Sequence, residues 1–184
     1  HYTTNGRATV DQGRIGLWFY DEDETPTQRK LGECACIFPN DWTDIPPNDP
    51  NFAQVKSVKV GYDAYLTGFH PHMHFRGKSM VFDAHYPDGR VERLLNIAHY
   101  NYDWQIEYKL AEPKFVPAGT EIVVTGVFDN SSQNKANPDP ERQVPWGEQS
   151  WDEMFFGQVY WKAADPAVLD QLRARFESRG VATN

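Results

Sequence analysis

The 184-residue chain sets 18 Lys and Arg against 26 Asp and Glu, a formal charge of -8, and has no basic cluster, so a nucleic-acid surface is excluded as an expectation. No run approaches the roughly 20 apolar residues of a membrane span, and the first residues lack the basic-then-apolar pattern of a signal peptide. The chain as given is expected to be soluble, and its start at His1 rather than Met reads as a processed or trimmed polypeptide.

With an aromatic content of 14%, and with 13 Gly and 13 Pro punctuating short alternating runs, the pattern is that of an all-β sandwich. Ile15, Leu17 and Phe19 alternate with Arg14, Gly16 and Trp18, predicting a strand that stops at the acidic residues 21–24. A second short strand is predicted from Cys34 to Phe38. A disulfide between Cys34 and Cys36, two residues apart, would be strained, so ordinary thiols or bonds to a missing segment are expected, with a Cys-x-Cys metal site as the alternative. Residues 40–51, rich in Asn, Asp and Pro, can neither ladder nor coil and predict a connector and a domain boundary.

From Val55 the alternation resumes. Tyr62, Ala64, Leu66, His70, His72 and His74 share one parity, while Tyr65, Thr67, Phe69, Met73 and Phe75 share the other. Pro71 implies an edge or a break in that strand. Residues 87–90, Pro-Asp-Gly-Arg, predict a hairpin turn between strands at 79–86 and 91–98. Further strands are predicted at 104–111, 121–129 and 153–162, with a turn at 117–119 and an ordered loop over 129–145. At the end, Asp165 as cap, Pro166 at the first turn, and the stripe Val168, Leu169, Leu172 and Phe176 before Gly180 predict one short helix.

The chemistry concentrates in residues 70–78, His-Pro-His-Met-His-Phe-Arg-Gly-Lys, and in residues 151–154, Trp-Asp-Glu-Met, about 80 positions later. His72 and His74 share a strand face and can present two imidazoles to one ion, with Met154 as a soft third ligand; two nitrogens and a thioether suggest copper. His70 and His74 lie about 13 Å apart along an extended strand, too far for both to hold one ion. A thioether favours Cu(I), and three protein ligands leave a position open for dioxygen. Asp152 and Glu153 are expected to support the loop, and His85 and His99 to be structural or solvated.

Residues 72–78 together with Tyr102-Asp-Trp104, residues 113–120, residues 128–131 and residues 146–154 resemble the copper type II, ascorbate-dependent monooxygenases, the family of peptidylglycine α-hydroxylating monooxygenase and dopamine β-monooxygenase, and most of all its bacterial relatives. The resemblance covers about residues 55–162. It implies two sandwich domains with one copper each, and assigns His72, His74 and Met154 to the oxygen-activating copper. Residues 1–50 would then close a first, incomplete sandwich, residues 51–164 form a copper-binding, jelly-roll-like sandwich, and residues 165–184 the helix and tail. His1 resembles a ligand of the family's electron-transfer copper, whose His-His pair is not in this chain; a free N-terminal His could instead chelate copper through its amine, as in polysaccharide monooxygenases.

Where the peptide-amidating members carry Arg, Asn and Tyr for a peptide carboxylate, this chain has His70, Phe156 and Gln158, so a C-terminal glycine peptide is not the expected substrate. His70, Phe156, Gln158 and Phe75 are the candidate pocket residues, with His70 either lining the pocket or serving as a polar wall residue. The implied partners are dioxygen, a small organic substrate, and an electron donor such as ascorbate or an upstream redox domain, in an extracytoplasmic setting. The other reading is a non-catalytic docking subunit of a larger extracytoplasmic, membrane-associated assembly that keeps the fold.

Overall fold

The computed structural model describes residues 6–24 and 30–178. Strands form where β-branched and aromatic residues alternate with polar ones between Gly, Pro, Asn and Asp punctuation. They are β1 (Leu31–Ile37), β2 (Phe52–Lys59), β3 (Ala64–His72), β4 (Gly77–His85), β5 (Val91–Ile97), β6 (Tyr108–Val116), β7 (Glu121–Phe128) and β8 (Phe155–Ala163), followed by helix α1 (Ala167–Ser178). Two four-stranded sheets result, ordered β1-β8-β3-β6 and β2-β7-β4-β5, and every pairing is antiparallel. First pairs with last, second with seventh, third with sixth and fourth with fifth, the nested order of a jelly roll.

The core lies between the two sheets. Phe69 on β3 meets Phe82 on β4 with ring centroids 5.1 Å apart, and Met73, Met80, Ile122, Val124, Phe128 and Phe155 are fully buried around them. Two glycines allow the sheets to approach. A Cβ on Gly126 would stand 2.6 Å from the Phe155 ring, and one on Gly157 would stand 2.7 Å from Val124. The 87–90 turn closes as expected, with Gly89 at φ 86° and Tyr86 N–H donating to the Arg90 carbonyl at 2.9 Å. Asp165 caps α1, its Oδ1 accepting from Ala167 N–H at 2.9 Å, and Val168, Leu169 and Leu172 are half-buried.

Several sequence expectations change. Residues 14–19 form no strand, and Ile15, Leu17 and Phe19 stand 71–89% exposed; among the described residues nothing pairs with them, and alternation alone closes no ladder. Leu31–Ile37, placed before the expected boundary, pairs along its whole length with β8 and so is an edge strand of this sandwich. Residues 40–51 connect it to β2, and Ile45, fully buried, makes a bridge with Val144 in both directions at 3.0 Å. Cys34 and Cys36 are joined as a disulfide, with their Cα atoms 5.0 Å apart. A regular strand would separate them by about 6.6 Å, and an edge strand, laddered on one side, can be drawn in.

The parity of β3 also changes partway along. A bulge between Leu66 and Gly68 puts Ala64 and Leu66 on the core side together with Phe69, Pro71 and Met73, leaving His70, His72 and His74 on the outer face. Pro71 falls where β3 has lost its β6 neighbour, whose last pair is Phe69 with Tyr108, the edge position a proline tolerates. The strand expected at 104–111 begins instead at Tyr108, because residues 101–105 turn back: Trp104 N–H donates to the Asn101 carbonyl at 3.0 Å.

Gly126→Val should destabilise the domain by about 1–3 kcal/mol through overpacking against Phe155. Urea unfolding of the purified variant measures this; a midpoint unchanged from wild type would show that the sheets can separate without cost.

Candidate metal centre

The site lies on the outer face of the β1-β8-β3-β6 sheet, where β3 and β8 run out. His72 stands opposite Phe156 and His70 opposite Gln158. The ladder ends at that pair, and His74 and Met154 lie just beyond the ends of β3 and β8. On β8, Phe155, Gly157, Val159 and Trp161 are buried toward the core while Phe156, Gln158 and Tyr160 are half-buried on the other side. Met154, just before β8, is buried at 9% exposed. The strand pair therefore brings His72 and, just past its end, His74 to one place, and the Met154 N–H meets at 3.4 Å the same Glu153 Oε2 that the His74 N–H meets at 2.8 Å.

The two imidazoles stand 5.1 Å apart between centroids and nearly perpendicular, at 86°. Each is held through Nδ1. His74 Nδ1 meets the Asp152 carbonyl at 3.3 Å, and His72 Nδ1 meets Gln105 Oε1. The Gln105 amide is oriented by its own Nε2, which donates to the Tyr102 carbonyl at 2.7 Å. An Nδ1–H given to an oxygen leaves the lone pair on Nε2, the tautomer in which a histidine binds a metal. Burial lowers the pKa of both rings, that of His74 from 6.5 to about 4, so they are neutral at pH 7, as ligands must be. Among the described residues no three His, Cys, Asp or Glu side chains gather to hold an ion.

Beneath the rings is a buried carboxylate. Glu153, fully buried, accepts through Oε2 from His74 N–H at 2.8 Å and Met154 N–H at 3.4 Å, and through Oε1 from Arg76 N–H at 2.6 Å. One oxygen thus gathers the main chains of two candidate ligands. Burial pushes the Glu153 carboxyl up to about 8, against the three N–H donors and the Arg76 guanidinium, which favour the anion. Arg76, also fully buried, donates through Nε to Asn130 Oδ1 at 2.7 Å and through Nη1 to the Trp151 carbonyl at 2.8 Å. Asn130 in turn donates to the Pro46 and Arg142 carbonyls at 2.8 Å each, so the 129–154 loop is ordered by polar contacts. Tyr100 clamps the end of β3, its hydroxyl donating to the Met73 carbonyl at 2.7 Å and accepting from Met73 N–H at 2.9 Å.

Of the candidate pocket residues, Phe156 packs near a histidine ring directly and Phe75 through Tyr102. Phe156 lies 5.7 Å from the His72 ring and 5.6 Å from Phe38. Phe75 packs edge-on to Tyr102 at 4.7 Å, and Tyr102 stands 6.2 Å from His74. His70 and Gln158 form the next row on the same face. His85 and His99 are exposed, and His1 lies outside the described residues. Sequence reasoning missed Gln105, Glu153 in its role as a gathering point for main-chain N–H groups, and the Tyr100 clamp. Residues 101–105 were legible as the run-up to a strand at 104 and, through Tyr102-Asp-Trp104, as part of the family resemblance, and nothing local pairs Gln105 with position 72.

No protein-family model matches this chain, and no curated protein is significantly similar to it.

Replacing Glu153 with Ala strips three buried N–H groups of their acceptor, and at about 1–3 kcal/mol for each buried donor left unsatisfied the variant should lose about 3 kcal/mol or more. Chemical denaturation of the metal-free protein reads this directly. A loss below about 1 kcal/mol, the worth of a single ordinary hydrogen bond, would mean that Glu153 does not organise the site.

Proposed function

We propose that this chain is a copper-binding domain that activates dioxygen for hydroxylation of a C–H bond in a small organic substrate, in the manner of the copper type II, ascorbate-dependent monooxygenases that its motifs resemble. The observation that carries the reading is the pair of perpendicular imidazoles, each held at Nδ1 by an oxygen acceptor, with the Glu153 carboxyl bonded to the main chains of both His74 and Met154. The donor set fits copper: two neutral imidazole nitrogens and a thioether are soft enough for Cu(I) and too few in oxygen for magnesium or calcium. Copper held there supplies the one-electron and oxygen chemistry that no protein side chain supplies.

The chain's own residues do the remaining work. Gln105 and the Asp152 carbonyl hold the two ligand tautomers, and Glu153 keeps the His74 and Met154 main chains together. Phe156 and Phe75 wall the centre against water, which favours oxidation of a bound substrate over loss of reduced oxygen. His70 and Gln158, one row away, offer polar groups that orient the substrate, in place of the basic residue that would anchor a peptide carboxylate. The electron donor is ascorbate or a redox domain beyond this segment. An extracytoplasmic setting belongs to the same reading and is supported by the Cys34–Cys36 disulfide.

Copper titration under reducing conditions, with melting followed in parallel, tests the proposal. Wild type should bind one tight copper per chain. His72→Ala and Met154→Leu should weaken binding by more than the 10–100-fold that loss of an outer partner costs, and Gln105→Leu by about that amount, with all three variants still folded. Absence of tight copper binding by the wild type, or equal copper per folded molecule in the ligand variants, rejects the reading.

A further inference from the structure

The Cys34–Cys36 disulfide is unusual in where it sits and in how little it can add to stability. The stabilisation a disulfide gives by restricting the unfolded chain grows with the loop it closes, and this one encloses only Ala35. The same residues are already held, since Leu31–Ile37 pairs in unbroken register with β8. As a staple the bond is almost redundant.

Its position supplies a different role. Cys34 stands opposite Gln158 and Cys36 opposite Phe156, so both sulfurs belong to the outer face that carries the histidines. His72 is the next residue in the Cys36 row and His70 the next in the Cys34 row, two strand spacings away, about 10 Å. Cys34 also lines a cavity of about 420 Å³ shared with Lys30, Glu33, Gln158 and Tyr160. Cys36, by contrast, is 7% exposed. Cys34, half-buried, thus borders the cavity while Cys36 is covered.

We propose that Cys34 and Cys36 form a dithiol–disulfide exchange site whose reaction partner is a small organic thiol entering by this cavity. The incoming thiolate attacks Cys34 Sγ; the Cys34–Cys36 bond breaks, and Cys36 leaves as a thiolate that takes up a proton. A second thiol then attacks the mixed disulfide and releases Cys34 as a thiol. The net reaction consumes two thiols and yields the Cys34–Cys36 dithiol and one external disulfide. Run in reverse, it oxidises the pair. The exchange rests on the disulfide and the cavity and does not depend on the copper reading.

The test uses the whole metal-free chain in buffers of reduced and oxidised glutathione, quenched in acid, alkylated and read by mass spectrometry. The folded protein should gain two alkylated thiols per chain as the buffer becomes reducing and lose both on return. Cys36→Ser should trap one glutathione on Cys34, and Cys34→Ser should trap markedly less on Cys36. The proposal is overturned if the native pair resists glutathione until a denaturant is added, if both cysteines alkylate before any reductant is present, or if the two single variants trap glutathione equally. The wild-type measurement decides the matter even if a variant fails to fold.

Discussion

The ladder between β3 and β8 is the constraint on which the candidate site rests. It runs from Ala64 with Ala163 to His72 with Phe156 and carries the bulge between Leu66 and Gly68. Without that extra residue, a single parity would force a choice between exposing Ala64 and Leu66 and turning three histidines into the apolar space between the sheets. Either alternative is expensive, because buried imidazoles lack partners there and exposed core residues forfeit their transfer energy. With the bulge, both requirements are met on one strand. The sheet keeps its core, and its outer face receives a row of histidines.

A second constraint keeps the strand ends in place after the ladder stops. Backbone groups beyond the last β pair must find acceptors or water, and here one buried carboxylate provides them. Glu153 takes N–H groups from His74, Arg76 and Met154, while Arg76 reaches across to Asn130 and Trp151. A network of this kind is worth having only when every member is satisfied, since a half-paired buried charge is worse than an apolar one. Its bonded state holds an irregular loop rigidly against the end of β3.

The same face shows how a β sandwich separates stability from chemistry. The inner sides of β3 and β8 hold Leu66, Phe69, Phe155 and Trp161, at most 2% exposed. Their outer sides hold His70, His72, Phe156 and Gln158, in rows continued by Cys34 and Cys36 on β1. Because successive side chains alternate, each strand contributes to both without compromise. Changes to the outer rows can alter ligand and redox chemistry while leaving the packing between the sheets in place.

Much of this was legible in the sequence. The all-β class, the 87–90 hairpin, the turn at 117–119, the C-terminal helix and its Asp165 cap follow from local periodicity and turn chemistry, which act within a few residues. The pairing of His72 and His74 on one face follows from the two-residue period of a strand. Other features depend on contacts between distant segments. The strand predicted at 14–19 had the right alternation and no partner among the described residues, so it did not form; the strand at 31–37 had one in β8 and joined this sandwich. The flip of β3 parity, the closure of Cys34 on Cys36, the approach of Gln105 to His72 and the capture of three N–H groups by Glu153 all required the tertiary structure. Each turns on register or on the pairing of a buried polar group, and neither is recorded in the chemistry of neighbouring residues.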